Sequence, residues 1–310
     1  MQHTRIKGLF LAGFATLVWG CQYPIGRFIF GEMGEISPVV ASMYKFIFGA
    51  IALLPFALYS APSKNFAKAV RNDFPKLFCL AAFGVFAEGF LSLYSLKFTT
   101  AARSSLLCNM SPMFTVIVAA IFARRWPCRM IVLGVIIGII GSYLTISSSA
   151  SDIYAPSAHT LAGDILALLS GVAWAYFTVD CTTVAQKYGA LVCTTILLAL
   201  SALFLLLWCL ATGSGIVLVA PLKVWGCIFF LGALGTGICV GLWNMAALHV
   251  PSDALGAFGY ASAAIGMTAG IVGFHESITW RFVFAIACCM SAVWIMNKYD
   301  GETKNGHNHN

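Results

Sequence analysis

The feature that most constrains this chain is a succession of long apolar runs. Ten can be marked, at about 9–29, 38–59, 77–96, 100–122, 130–147, 161–183, 190–211, 224–247, 253–274 and 280–297. A helix needs about 20 residues to cross the hydrocarbon of a bilayer. Backbone hydrogen bonding in lipid leaves only helices or a closed barrel, and continuous runs of this length exclude the barrel. The expected fold is an all-α integral membrane protein with about ten transmembrane helices.

Composition removes the soluble alternative. Of 310 residues, 60% are hydrophobic and 9% charged, where soluble domains average about 25% charged. The chain lacks the charges to build a soluble shell. Its net charge of +7 is spread thinly between apolar runs, as topology signals rather than a nucleic-acid footprint. The eleven cysteines show no C-x-x-C pair and no histidines at metal spacing, so they read as small buried apolar residues. The N-terminal MQHTRIKGLF leads into the first run without a small-residue cleavage site, and is read as the start of a spanning helix.

Lysine and arginine set the expected orientation. With the N-terminus cytoplasmic, twelve of the eighteen basic residues fall on the inner side, among them Lys64, Lys68, Arg71, Arg124, Arg125 and Lys187. Arg27, Lys97, Arg103, Lys223 and Arg281 fall outside, and Lys45 lies within a helix. That bias places both termini in the cytoplasm of a bacterial-type inner (plasma) membrane.

The halves of the chain resemble each other. A shift of 152 lays AARSSLLCNMSPMF at 101–114 over DALGAFGYASAAIG at 253–266 and Arg129 over Arg281. A shift of 155 lays Trp19 over Trp174 and Gly8 over Gly163. Five helices per half is an odd number, so the second copy enters the membrane upside down, as in transporters built from inverted repeats. The expected division is 1–150, 151–300 and a polar cytoplasmic tail at 301–310.

Several segments together resemble EamA-type permeases of the drug/metabolite transporter superfamily. They are GFATLVWGCQYPIGR with Trp19, SLKFTTAARSSLLCNMSPMFTVIVAAIF with Pro112, VLGVIIGIIGSYL, and GDILALLSGVAWAYF with Trp174. The resemblance spans about residues 8 to 297. It implies two inverted five-helix repeats, alternating access and, in most members, export of amino acids or related metabolites. Two positions depart from the family pattern. The glutamate that commonly ends the fourth helix of each repeat is Glu276 in the second copy but Arg124 in the first, and Ala264 stands opposite Pro112.

The most informative single residue is Glu88, which has no other charge around it from Leu77 to Leu96. Its helical face carries Ala81, Gly84, Ser92 and Ser95, and the opposite side carries Phe83, Phe86, Phe90 and Leu93. Glu88 is therefore expected to face the bundle, as intramembrane charges do. Its expected partner is Lys45, at similar depth in the second helix. Three readings stand open: a structural ion pair, a substrate site in which Glu88 takes an ammonium and Lys45 a carboxylate, and proton exchange at Glu88.

Further candidates are Asn109 beside Pro112, with cavity contact and interhelical bonding both open, Tyr260 on the counterpart helix, and Asn244. Trp19 and Trp174 lie deep enough to line a pocket or attract an ammonium, whereas Tyr23 is read as an interfacial anchor. Gly237 and Gly241 suit close packing or bending, with gating as the second reading.

TGSGI at 212–216 has no mid-membrane histidine to act with it, and no P-loop is present. The chain is read as a secondary carrier rather than an enzyme, exporting amino acids or related compounds. The alternatives are a carrier for nucleotide or sugar derivatives or toxic cations, and a channel-like membrane protein. No cofactor is called for. The expected partners are a small solute and the bilayer, with protons or a counter-substrate as coupling species.

Overall fold

The computed structural model describes residues 2–31, 37–62, 64–123, 129–147, 158–213, 215–216, 220–247, 252–274 and 278–305. Among these, eleven continuous helices are formed. They are α1 (Gln2–Gly31), α2 (Pro38–Ser60), α3 (Lys64–Ser95), α4 (Ala101–Cys108), α5 (Ser111–Ala123), α6 (Arg129–Ser147), α7 (Ala158–Tyr188), α8 (Ala190–Thr212), α9 (Leu222 to Ala247), α10 (Ser252–Phe274) and α11 (Trp280–Asn305). Six of them, α1, α2, α3, α7, α8 and α9, are long and apolar enough to cross a membrane, and α6, α10 and α11 contain shorter apolar stretches. Large apolar side chains such as Phe10, Phe83, Leu222 and Trp280 stand outward, a surface suited to lipid rather than to water.

The run expected as one helix at 100–122 is two. Pro112 has no N–H to offer the carbonyl of Cys108, and its ring crowds the preceding turn. The chain answers with a tight turn, in which Met110 N donates to Leu107 O at 3.2 Å and Met113 N to Met110 O at 3.0 Å. With α4 and α5 taken as halves of one rod, the described helices follow the ten expected apolar runs in number and order. α3 begins well before the expected residue 77, in a polar leader kinked at Asp73 (φ −129°, ψ 27°), two residues ahead of Pro75. α11 runs past 297 to Asn305.

The helices pair reciprocally across the two halves. α1 lies against α10 as α7 lies against α4 and α5; α2 lies against α9 as α8 lies against α3; and α2 with α8, and α6 with α11, pair like with like. Such a pattern is what two copies related by a pseudo-two-fold axis produce. The backbone repeats in finer detail too. Residues Leu80–Phe86 of α3 and Phe230–Ile238 of α9 are both wound as π-helix, and each is followed by nine α-helical residues, Ala87–Ser95 and Cys239–Ala247. Wide turns of this kind are frequent at functional sites.

Glycine permits the closest approach between the halves. A Cβ on Gly49 of α2 would stand 3.1 Å from Gly232 O and 3.4 Å from Gly237 N of α9, so backbone meets backbone there, as small residues allow in membrane bundles.

Candidate functional site

α2 starts, and α3 ends, at the same face of the bundle. Lys45 lies seven residues after Pro38 and Glu88 seven before Ser95. At about 1.5 Å per residue both sit roughly 10 Å below that face. The two side chains line one small cavity of ≈ 40 Å³, which is room for about three waters at about 10–15 Å³ each. Gln22 and Tyr23 of α1, Ser92 and Leu93 of α3, Leu96 just past its end, and Leu231 of α9 complete its wall. Leu93, expected on the apolar side of α3, is buried and faces this cavity, while Phe83 on that side is exposed.

Lys45 and Glu88 share the cavity without joining. No ion pair links them within 4.0 Å among the described residues. Lys45 Nζ instead donates to the carbonyl of Gly89 at 3.1 Å and stands 5.6 Å from the centre of the Phe46 ring. Gly89 permits this. A Cβ there would meet Phe46 Cζ at 2.8 Å and Lys45 Nζ at 3.2 Å. Glu88, partly buried, keeps its carboxylate toward the cavity.

Tyr23 belongs to this site, not to an interface. Asn109 Nδ2 donates to Tyr23 Oη at 3.3 Å and to Ser105 O at 2.8 Å. Asn109 thus uses its place at the break between α4 and α5 to hold a cavity residue, and it does not itself line the cavity.

The other candidates lie elsewhere. Trp19 and Trp174 meet edge to face with ring centres 5.7 Å apart, and Trp19 lies 5.1 Å from Trp243. This aromatic layer lies one turn beyond Tyr23, toward the opposite face of the bundle. The π-wound part of α9 supplies its anchor. Cys239 N–H reaches back five residues to Leu234 O, passing over the Gly235 carbonyl, to which Trp19 Nε1 donates at 2.9 Å. Asn244 Nδ2 donates to Thr194 Oγ1 at 3.2 Å and so ties α9 to α8. Gly237 packs on the backbone of Gly49, and Gly241 lies close to Leu53 and Leu191. Pro112 is at the start of α5, half-buried. The side chain of Tyr260, and residues Arg124 and Glu276, lie outside the described residues.

Sequence reasoning missed a second charged centre. Arg103, expected in an outer segment, is buried in α4 and forms an ion pair with Asp164 of α7, which is 0% exposed. Arg103 Nε donates to Asp164 Oδ1 at 3.2 Å, and Thr99 Oγ1 donates to the same oxygen at 2.7 Å. The available signal was Asp164 itself, a carboxylate early in an apolar run. Beside it, Ser95 and Ser104 share a 2.7 Å hydrogen bond, and Cys108 Sγ lies 3.0 Å from Ser170 Oγ. No group of three or more metal-binding side chains occurs among the described residues.

The model of the EamA-like transporter family matches the chain twice, over residues 6–147 and 161–298. The chain belongs to this family. The two matches are the two halves whose helices pair reciprocally, so this EamA-like protein is a multi-pass membrane transporter built from two copies of one domain. It resembles two uncharacterized transporters of Archaeoglobus fulgidus. One is 24% identical over 81% of this chain and 83% of that one, the other 26% identical over 94% and 99%. An uncharacterized transporter of Bacillus subtilis, YyaM, is 25% identical over 78% of this chain and 77% of its own. A solved crystal structure shares the fold, with a TM-score of 0.58, 16% identity, and 93% of this chain and 95% of that one covered. As a member of a transporter family, the protein has a small-molecule substrate rather than a reaction to catalyse.

Proposed function

We propose that this EamA-like protein exports amino acids or closely related zwitterions by alternating access through the Lys45–Glu88 cavity. The supporting observation is that an ammonium and a carboxylate face one cavity while remaining apart. A structural ion pair would bring the two charges together. A zwitterion offers each of them an opposite charge. Gln22, Ser92 and the Tyr23 hydroxyl add uncharged hydrogen-bonding groups. The cavity is too small for a whole amino acid, which fits a contracted state of a carrier that widens around its solute. Both termini are assigned to the cytoplasm of a bacterial-type inner membrane on the distribution of lysine and arginine. Glu88 is then also the residue at which a proton or counter-substrate would exchange.

The test compares metabolites in the medium of cells making the wild-type chain, cells making Glu88→Gln at equal membrane level, and empty controls. Enrichment of one or a few amino acids by wild type alone is the expected result. Equal enrichment by both proteins would remove Glu88 from the solute's path. Enrichment of a solute with no ammonium group would overturn the zwitterion reading.

A further inference from the structure

The Arg103–Asp164 centre has no place in the solute site, yet it lies where a carrier needs a closure. The connection between α3 and α4, residues 96–100, crosses the face of the bundle nearest the cavity, and Leu96 at its start is itself part of the cavity wall. Side chains from two other helices hold this connection down. Arg27 Nη1 of α1 donates to Leu96 O at 3.0 Å. Thr99 Oγ1 donates to Asp164 of α7 at 2.7 Å, and Arg103 of α4 pairs with the same carboxylate. Gly163 brings α7 against the strip, since a Cβ there would lie 2.9 Å from Thr99 N and from the Phe98 side chain.

The start of α4 and the end of α3 belong to one repeat, and Asp164 belongs to the other. Relative movement of the repeats at this face therefore has to separate Thr99 and Arg103 from Asp164. One carboxylate holding two partners concentrates the closure at a single residue. A buried pair is a good closure for this purpose: its charges are poorly solvated while shut, and water admitted on opening hydrates them and lowers the cost of separation.

We infer that the α3–α4 connection is the gate over the cavity at this face of the membrane, and that Asp164 is its latch, engaging Thr99 and Arg103 across the repeat interface. This rests on the cavity being the transport site but not on which solute is carried.

Thiol accessibility tests it without a known substrate. Ser92→Cys places a thiol in the cavity wall, and Lys97→Cys, at an exposed position on the connection, marks the face. Membrane vesicles of both orientations are treated with a membrane-impermeant maleimide, and labelling of each peptide is read by mass spectrometry, so the native cysteines stay in place. Adding Arg103→Gln with Asp164→Asn, which removes both charges together, is expected to raise labelling of the cavity thiol at least several-fold from the face at which the marker thiol on the connection reacts, with no change from the other face. Unchanged labelling, or an equal rise from both faces, would overturn the gate. Should the double variant fail to reach the membrane, Thr99→Val, which removes the hydrogen bond from the connection to Asp164 while leaving Arg103 and Asp164 paired, is expected to produce a one-sided rise of the same sense, and its absence would overturn the proposal equally. The flux lost in Glu88→Gln reports on the cavity, the labelling on the gate, so the two readings fail separately.

Discussion

At one end of α7, Asp164 is fully buried and holds Thr99 and Arg103 of the first repeat. At the other end the same helix meets the same repeat in the open. Asp180 lies 2.8 Å from Lys76, and Lys187 donates to Asp73 at 2.7 Å, with Tyr188 donating to Asp73 at 2.6 Å. The Lys187 side chain is 54% exposed there, against 0% for Asp164. Both ends are ionic, but solvent makes them different devices. An exposed pair is worth about 0–1 kcal/mol and is screened by salt. A buried pair adds little net stability, yet it is costly to break by removing one partner. Ion pairing alone thus does not mark a functional joint; burial of the pair at a moving interface does.

The largest expected effect comes from breaking the buried end on one side only. Asp164→Asn is expected to cost about 3–5 kcal/mol, read as a marked fall in the thermal midpoint of the purified protein in detergent. The double change Arg103→Gln with Asp164→Asn should recover a good part of that loss, and a loss equal to the sum of the two singles would show that the residues do not act together. Next comes Gly163→Ala at the same end, where the added methyl meets the Thr99 backbone. Overpacking of this kind costs about 1–3 kcal/mol, and an unchanged midpoint would mean that the strip yields freely.

The exposed end should respond least. Asp180→Asn is expected to change stability by no more than about 1 kcal/mol, and the difference should shrink in high salt, whereas the Asp164→Asn deficit should hardly change. Lys187 sharpens the contrast through pH. Its hydrogen bond to Asp73 holds its pKa above the ordinary 10.5, so the stabilisation is fully present below that value and is lost only as pH rises through the raised pKa of the folded state. Midpoints at pH 7 and 9 should therefore carry the same contribution from this tie, and a decline attributable to Lys187 between them would contradict the assignment.

Much of this arrangement was legible in the sequence, for identifiable reasons. Apolar run length marked out the helices of the bundle, six of them long enough to span a membrane, and the halves betrayed their kinship through Trp19 and Trp174. Glu88 stood out because it is a lone carboxylate among phenylalanines in an apolar run. What escaped was relational. The approach of Lys45 to Gly89 depends on a missing side chain, and absence carries little signal. The pairing of Arg103 with Asp164 joins residues 61 apart, and Arg103, near the start of the run at 100–122, was counted among the outer-side basic residues, with no partner in its own run to reveal it. The role of Tyr23 depends on the break that Pro112 creates at Asn109. Charge spacing within one helix could be read, whereas the meeting of two helices required their packing.

The grip of Lys45 on a main-chain oxygen has an electrical consequence. A peptide carbonyl does not ionise, so the acceptor that holds Lys45 keeps its charge state at any pH. The joint between α2 and α3 is therefore made to a main-chain oxygen, which leaves the carboxylate of Glu88 as the anionic group of the cavity wall.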